Sequence, residues 1–456
     1  MSREIGGGMR RFAVLLVLIA PVVLAGCDWN QFLYDTGHSG FNSSESTIST
    51  DNVSTLVEKF TAHTGGLLTG SAPVVSHGVA YVVSGDGNLY AFSASGNASC
   101  SGSPKTCTPL WTAAAGGGAT IMSSPAVSGG VIYAAGDDGV VRAFDAGGKS
   151  GCAGTPTVCT PLWTANVSVD ASVAPVVANG TLFVSSTTMG LVAFDAAGQI
   201  GCSGTPEVCS PLWDTSFGGF VSVSNETVYV AGSDVIEAYD ATGTNNCSGS
   251  SPKTCSPLLQ YEPNYPLTQV VTDYAVISGT TLYTQAATPF GQLPAHENVE
   301  AFDAQGVTGC TPAGTLKVCT PTWTTADVTG AFPPASVANG SLYVNGSNGL
   351  SVFDASGTVG CTGSPKICSS LWTSASTETA DAPMSVANGV LFGADDKNLY
   401  ALDASGHTNC SGSVCSPLWT ATPTTSSTFI YSGPIVANGF VYATVGNDLV
   451  AYGLAS

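Results

Sequence analysis

Residues 174–185, Ala174-Pro175-Val176-Val177-Ala178-Asn179-Gly180-Thr181-Leu182-Phe183-Val184-Ser185, read as a β-hairpin. Apolar and β-branched runs flank Asn179-Gly180, a dipeptide suited to a two-residue turn because both positions need φ > 0. The same signal returns at Asn339-Gly340, Asn388-Gly389 and Asn438-Gly439. Working outward, the hairpin is followed by Ala193-Phe194-Asp195, the end of a third strand. In neighbouring units the turn before that strand is marked by Asp86-Gly87, Asp138-Gly139 or Asn348-Gly349. A cysteine-bounded loop and Pro211-Leu212-Trp213 complete the unit, the tryptophan segment supplying a fourth strand.

The unit recurs along the chain, and recurrence at a fixed period decides architecture. Its third-strand signature appears as Ala91-Phe92-Ser93, Ala143-Phe144-Asp145, Ala193-Phe194-Asp195, Ala238-Tyr239-Asp240, Ala301-Phe302-Asp303, Val352-Phe353-Asp354 and Ala401-Leu402-Asp403. Ala451-Tyr452-Gly453 makes an eighth. Trp111, Trp163, Trp213, Trp323, Trp372 and Trp419 follow the loops, with Leu258-Leu259 in the tryptophan's place in the fourth unit. Eight units of four short antiparallel strands predict an all-β, eight-bladed β-propeller over residues 56–456. The last unit carries only three strands, so residues 56–61 are expected to supply its fourth and close the ring without an open edge. The recurrent aromatic positions are then core between blades.

Of the 15 cysteines all but Cys27 pair by spacing. The expected disulfides are Cys100/Cys107, Cys152/Cys159, Cys202/Cys209, Cys247/Cys255, Cys310/Cys319, Cys361/Cys368 and Cys410/Cys415. Loops this short gain roughly 2–3 kcal/mol each in the chain-entropy model. Their reading is structural: they staple loops. Metal binding is disfavoured, since no Cys-x-x-Cys occurs and the chain has only 5 His.

At the N-terminus Arg10 and Arg11 precede an apolar run, residues 12–25, too short to span a membrane comfortably. With small residues following, residues 1–26 read as an export signal. Leu24-Ala25-Gly26-Cys27 resembles the lipobox of bacterial lipoproteins, in which the cysteine is lipidated at its thiol and becomes the new N-terminus. An aspartate next to that cysteine, here Asp28, favours inner-membrane retention in some of them. Residues 27–55 form an N-terminal segment ahead of the propeller. Export supplies the oxidising compartment that disulfides need. Charged residues make up only 9% of the chain, against about a quarter in ordinary domains. Removing residues 1–26 leaves 8 basic against 30 acidic residues, a net −22. Such a chain is repelled by phosphate backbones, which excludes nucleic acid.

Residues 124–146, Ser-Pro-Ala-Val followed by Gly-Gly-Val-Ile-Tyr and Asp-Gly-Val-Val-Arg-Ala-Phe-Asp-Ala, resemble the quinoprotein-like propellers with pyrroloquinoline-quinone (PQQ)-type repeats. The opening Asp28-Trp29-Asn30-Gln31-Phe32, with His38, Gly40 and Asn42, is similar to the start of these proteins. The resemblance implies the propeller fold and leaves two activities open, because the family holds quinone-dependent dehydrogenases and non-catalytic lipoproteins. One of the latter belongs to the outer-membrane β-barrel assembly machinery.

The dehydrogenase reading implies PQQ with Ca²⁺ and oxidation of alcohols or sugars. The family's alcohol dehydrogenases use an adjacent Cys-Cys disulfide, and no Cys-Cys occurs here. The aspartates at 145, 195, 240, 303, 354 and 403 recur once per unit and read as structural rather than catalytic. His77 falls in a hairpin turn and His407 just before a cysteine loop, positions with no need for imidazole chemistry. Gly147-Gly148-Lys149-Ser150 lacks the first glycine of a phosphate loop and reads as a loop tip.

No catalytic or metal-binding residue is therefore expected. The chain reads as a lipid-anchored binding or scaffolding module at the bacterial cell envelope, its partner an envelope protein or a surface glycan. The fifth unit is lengthened at residues 261–265 and 289–297, which makes Tyr265, Phe290, His296 and Glu297 candidates for a partner site. Length variation without function is the competing reading of those loops.

Overall fold

In the computed structural model the 174–185 hairpin forms as its turn chemistry dictates. Val176–Ala178 pairs antiparallel with Thr181–Ser186 across Asn179 (φ 51) and Gly180 (φ 79). Gly190–Asp195 adds to the second strand and Trp213–Asp214 to the third, completing a four-stranded blade. The structure describes residues 27–455 except 117–122, 168–172, 187–189, 233, 264–273, 288–296, 327, 329–333, 347–348, 376–381, 426–429 and 431. Eight such blades form the all-β, eight-bladed propeller, and one 3-10 turn, Val53–Thr55, accompanies the strands. In the eighth blade Leu56–His63 pairs antiparallel with Asp448–Leu454, so the ring closes with a strand from the start of the chain.

The cysteine loops do more than staple themselves. All seven disulfides form, and the cysteines in each face each other across a short antiparallel hairpin. That hairpin does not join its own blade. Its second strand lies parallel to the fourth strand of the preceding blade, as Glu207–Cys209 does along Trp163–Asn166. Seven blades thereby become six-stranded sheets clasped by their successor.

This arrangement corrects the reading of the cysteines as loop staples alone. The second cysteine of each pair, Cys107, Cys159, Cys209, Cys255, Cys319, Cys368 or Cys415, is at most 4% exposed and belongs to a hydrophobic cluster. Their partners Cys100, Cys152, Cys202, Cys247, Cys310, Cys361 and Cys410 are only half-buried. Pairing with the preceding blade is the physical reason. It sets Cys107 opposite Ala62, Cys159 opposite Ala113, Cys209 opposite Ala165 and Cys319 opposite Tyr261, each within that blade's apolar cluster. Cys255 packs likewise in the cluster that holds Trp213 of the preceding blade. One sulfur of each bridge is therefore core, as a small polarisable apolar group can be.

Other repeat positions serve the same junctions. A Cβ on Gly198, which sits at φ 69, would collide with the Trp163 ring, so only glycine lets this turn lie flat on the preceding blade's tryptophan. The Tyr133 hydroxyl in the second strand donates to the Ala196 carbonyl of the next blade at 2.8 Å. The same contact closes the ring from Tyr442 to Ala94 at 2.8 Å. Burial, with the Asp195 charge, pushes Tyr133 up to about 12, so its proton stays available for that bond.

The repeated aspartates are satisfied by their own turns. Asp195 accepts from the N–H groups of Ala197, Gln199 and Ile200. In the equivalent turn burial pulls the Asp240 carboxyl upward. The Asn245 N–H, with the hydroxyl and N–H of Thr242, outweighs it and holds the group below its ordinary range.

Candidate functional site

The channel of a propeller is its natural site, and here residues 28–42 occupy it. This stretch turns repeatedly, with Leu33, Tyr34 and His38 at positive φ, and ends in a short strand, Phe41–Asn42, parallel to Ser385–Ala387 of the seventh blade. Its course visits the innermost strands in order. The Trp29 carbonyl accepts from Val75 N–H (2.8 Å), Asn30 from Val127 (2.7 Å), Thr36 from Val223 (2.6 Å) and Gly37 from Ile277 (2.7 Å). Ser39 and Gly40 accept from Val337 and Val386, both at 2.8 Å. The Gln31 side chain takes the third blade's Val177 N–H at 3.3 Å. Asn42 Nδ2 completes the circuit by donating to the eighth blade's Val436 carbonyl (2.8 Å) and back to Cys27's (3.1 Å). The segment is a lace drawn through eight eyelets, and it satisfies backbone donors that an open channel would leave to water.

On one side of the lace lies a cavity of about 180 Å³ lined by Phe32, His38, Ser123, Val173, Phe220 and Tyr274, among others. Phe220 and Tyr274 pack with centroids 4.1 Å apart. Ser123 Oγ is buried without a partner among the described residues. His38 is fully committed, with Nδ1 2.8 Å from the Phe32 carbonyl and Nε2 2.6 Å from the Val221 carbonyl. Burial lowers its pKa, opposed by those two carbonyls and by Asp35. Among the described residues that line this cavity there is no Lys, Arg, Asp or Glu. A carboxylate-bearing quinone would therefore meet no fixed cation, and Ca²⁺ no carboxylate oxygen. The volume also falls below the roughly 300–1,000 Å³ of ordinary ligand pockets. The described residues do not fit PQQ with Ca²⁺. Among them no group of three or more His, Cys, Asp or Glu is arranged for a metal ion.

The residues singled out by sequence separate widely. Cys27 is half-buried, its thiol 2.8 Å from the Ser44 carbonyl. Burial, with Glu45 and Asp28, raises its pKa. Asp28 bridges the first and eighth blades, accepting from the His77 N–H at 3.0 Å and from Asn438 Nδ2 at 3.1 Å. Cys27 thus lies on the face of the inner-strand turns. His77 occupies its turn at φ 50, and the His407 ring meets Ser405 Oγ at 2.8 Å. Of the fifth-blade candidates, Tyr265, Phe290 and His296 lie outside the described residues. Glu297 begins the third strand of that blade, opposite Ala287, and is not part of the axial cavity. Phe220 and Tyr274 were missed by the sequence reading. The signal was present: where four units open their inner strand with Ala-Pro or Ser-Pro, the fourth has Gly219-Phe220 and the fifth Tyr274-Ala275.

Fold and site together define an eight-bladed β-propeller whose axis is filled by its own N-terminal segment. Residues 53–151 match the PQQ_2 family, described as outer membrane protein assembly factor BamB. A search of the curated proteins finds no match. Among solved structures, BamB from Moraxella catarrhalis aligns with TM-score 0.56 at 11% identity, covering 87% of this chain and 99% of its own. Quinohemoprotein alcohol dehydrogenase ADHIIG from Pseudomonas putida HK5 aligns with TM-score 0.58 at 13% identity, covering 94% and 80%. The computationally designed Ika8 protein aligns with TM-score 0.59 at 10% identity, covering 87% and 99%. At such identities the likeness carries the fold and not the chemistry.

Proposed function

We propose that this chain is a non-catalytic, exported lipoprotein whose propeller serves as a binding or scaffolding module at the bacterial cell envelope. The observation that carries this reading is the laced channel. The axis is filled by the chain's own N-terminal segment, and the described lining of the adjoining cavity offers no Lys, Arg, Asp or Glu to hold a quinone with calcium. Seven disulfides and the likeness to BamB support export.

Lipid on the Cys27 thiol would turn the face bearing the inner-strand turns, His77-Gly78 and Asn438-Gly439, toward the membrane. The opposite face would then point away, toward an envelope protein or a surface glycan. Among the described residues no helix is long and apolar enough to cross a membrane. Anchoring would thus rest on the lipid.

The test is a titration of the purified, disulfide-intact protein with pyrroloquinoline quinone plus Ca²⁺, following quinone absorbance and dye reduction with simple alcohols and sugars. No saturable binding is expected. Binding with turnover would overturn the reading and make the chain a dehydrogenase. Co-purification with barrel proteins or retention on a glycan column then separates the two partner classes.

A further inference from the structure

Seven of the eight blades have their fourth strand covered by a parallel strand from the following blade's disulfide hairpin. The seventh does not. Its fourth strand, Trp419–Ala421, pairs with Leu399–Asp403 and ends the sheet. The reason is topological: the eighth blade takes its fourth strand from Leu56–His63, so no third-to-fourth connection exists there to carry a hairpin. The 3-10 turn Val53–Thr55 reaches Trp419, whose Nε1 donates to the Leu56 carbonyl at 3.1 Å, and roofs the start of the strand. No described strand covers the outer backbone beyond Trp419.

The equivalent edges show what is missing. In the first and sixth blades the residue after tryptophan donates outward to the hairpin, Thr112 to Thr157 at 3.1 Å and Thr373 to Ser413 at 2.8 Å. Two residues further on, Ala375 donates to Cys415 at 2.7 Å and, in the fifth blade, Ala326 to Cys368 at 2.8 Å. The counterparts in the seventh blade are the N–H groups of Thr420 and Thr422, and neither has a backbone partner among the described residues. Thr420 is exposed, whereas Thr61, Thr112, Thr164, Asp214, Thr324 and Thr373 are half-buried under their hairpins. Exposed edges are usually blunted by Lys, Pro or a bulge. Here Pro417 and Pro423 flank the edge, and residues 419–422 carry no such device.

We propose that the outer edge of the seventh blade is a strand-acceptor site for a basic, extended segment of a partner protein. The segment would run parallel to Trp419–Ala421, as the hairpins do elsewhere. Its chemistry follows from the filled edges and from charge. At four of the seven filled edges the residue in this place is lysine, Lys253 opposite Trp213, Lys366 opposite Trp323, Lys317 opposite Leu259 and Lys105 opposite Phe60, while Glu207 stands opposite Trp163. Around the open edge stand Glu58, which accepts from Thr424 at 2.7 Å, and the turn Asp395-Asp396-Lys397-Asn398, whose Asn398 accepts from Thr422 at 2.7 Å and donates its N–H to Asp395 at 2.6 Å. Main-chain bonds would give such a segment its affinity and the acidic border its preference for lysine. The inference deepens the binding-module reading and rests on it for its biological use. Strand addition is nevertheless measurable apart from any quinone or envelope partner.

The probe is a fluorescein-labelled, disulfide-closed peptide of residues 361–368, Cys-Thr-Gly-Ser-Pro-Lys-Ile-Cys, titrated by anisotropy into the disulfide-intact protein. Saturable binding is expected, weakened roughly tenfold or more by Thr420→Pro, which removes the outward donor but no inner ladder bond. A peptide carrying Lys366→Glu should bind several-fold more weakly. Amide exchange in the wild type covers the case in which Thr420→Pro does not fold. Thr420 and Thr422 should exchange fast alone and slow on peptide addition. Absence of saturable binding, equal binding to a folded Thr420→Pro, or unchanged exchange at both amides would overturn the site. A dimer that depends on Thr420 would overturn the basic partner as occupant in favour of a second copy.

Discussion

Two blade junctions do one job with different parts. Between the second and third blades, Trp163 lies under Gly198, its Nε1 3.4 Å from the Ala196 carbonyl, and Tyr133 donates to the same carbonyl. The Cys202/Cys209 hairpin then clasps the outside, with the Cys209 sulfur packed inward beside them. Between the seventh and eighth, Trp419 turns instead to Leu56 and meets Tyr452 edge-on at 5.3 Å. Phe392 replaces the tyrosine of the second strand, so no hydroxyl crosses to the next blade, and no hairpin follows. What the second junction has in place of them is Ile48, Val53 and Leu56, buried residues of the N-terminal segment packed into the same cluster. The difference teaches that the repeat holds by three redundant devices and that a junction survives without the tyrosine bond and the clasp, on hydrophobic burial and the Trp419 and Asn388 hydrogen bonds to the N-terminal segment.

Trp→Ala at either junction tests that redundancy and has the largest expected effect, about 3–5 kcal/mol. Trp419→Ala should open the ring at the seventh blade, seen as protease cleavage confined to that junction. Trp163→Ala should lower the melting temperature while the clasp keeps its junction shut. Equal cleavage at both sites would break the comparison. Next comes removal of one clasp: Cys202→Ala with Cys209→Ala should cost roughly 2–3 kcal/mol. It should speed amide exchange along Trp163–Asn166 and leave Trp419–Ala421 unchanged, which hydrogen exchange resolves. Tyr133→Phe should cost about 1 kcal/mol in denaturant unfolding, since the Ala196 carbonyl retains Trp163.

The smallest expected effect is acid sensitivity. Burial tends to raise the Asp403 carboxyl, but the hydroxyls of Ser405 and Thr408 and their N–H groups hold it down to about 2. A carboxyl depressed in the folded state contributes its full stability above its ordinary value and loses it as pH falls through the folded one. The turn over Trp372 should therefore loosen between about pH 4 and 2, read as faster exchange in the Cys410–Ser411 strand. The seventh junction, with no aspartate turn above Trp419, should show no such step.

Much of this was legible in residue order. Turn dipeptides, paired cysteines and the eight-fold signature are local or periodic, so blades, disulfides and the closing strand could be read directly. The clasp could not. Parallel pairing of Glu207–Cys209 with Trp163–Asn166 joins segments that share no pattern, and a hairpin's partner is fixed by the ring rather than by its own sequence. For the same reason the burial of Cys107, Cys159, Cys255 and Cys319 was hidden, since the Gly/Ser/Pro-rich loops around them look wholly exposed. Phe60 stands in the tryptophan place above which Gly96 packs, but it lies outside the repeat and gave no sign. The lace is harder still: its bonds run through backbone carbonyls of dissimilar residues, which composition does not mark. Of the four candidate partner-site residues, only Glu297 falls among the described residues.

The closing strand also sets a clock. His63 and Asp448 face each other in the finished ring yet are 385 residues apart. At ribosomal rates of about 5–20 residues per second, the early strand waits on the order of 20–80 s for its mate to be made. Asn42 waits as long for Val436, 394 residues downstream. The first part of the molecule to emerge is thus the last to find its place. Until then it is an unpaired strand, and whatever escorts the nascent chain must shelter that end until the final strand arrives.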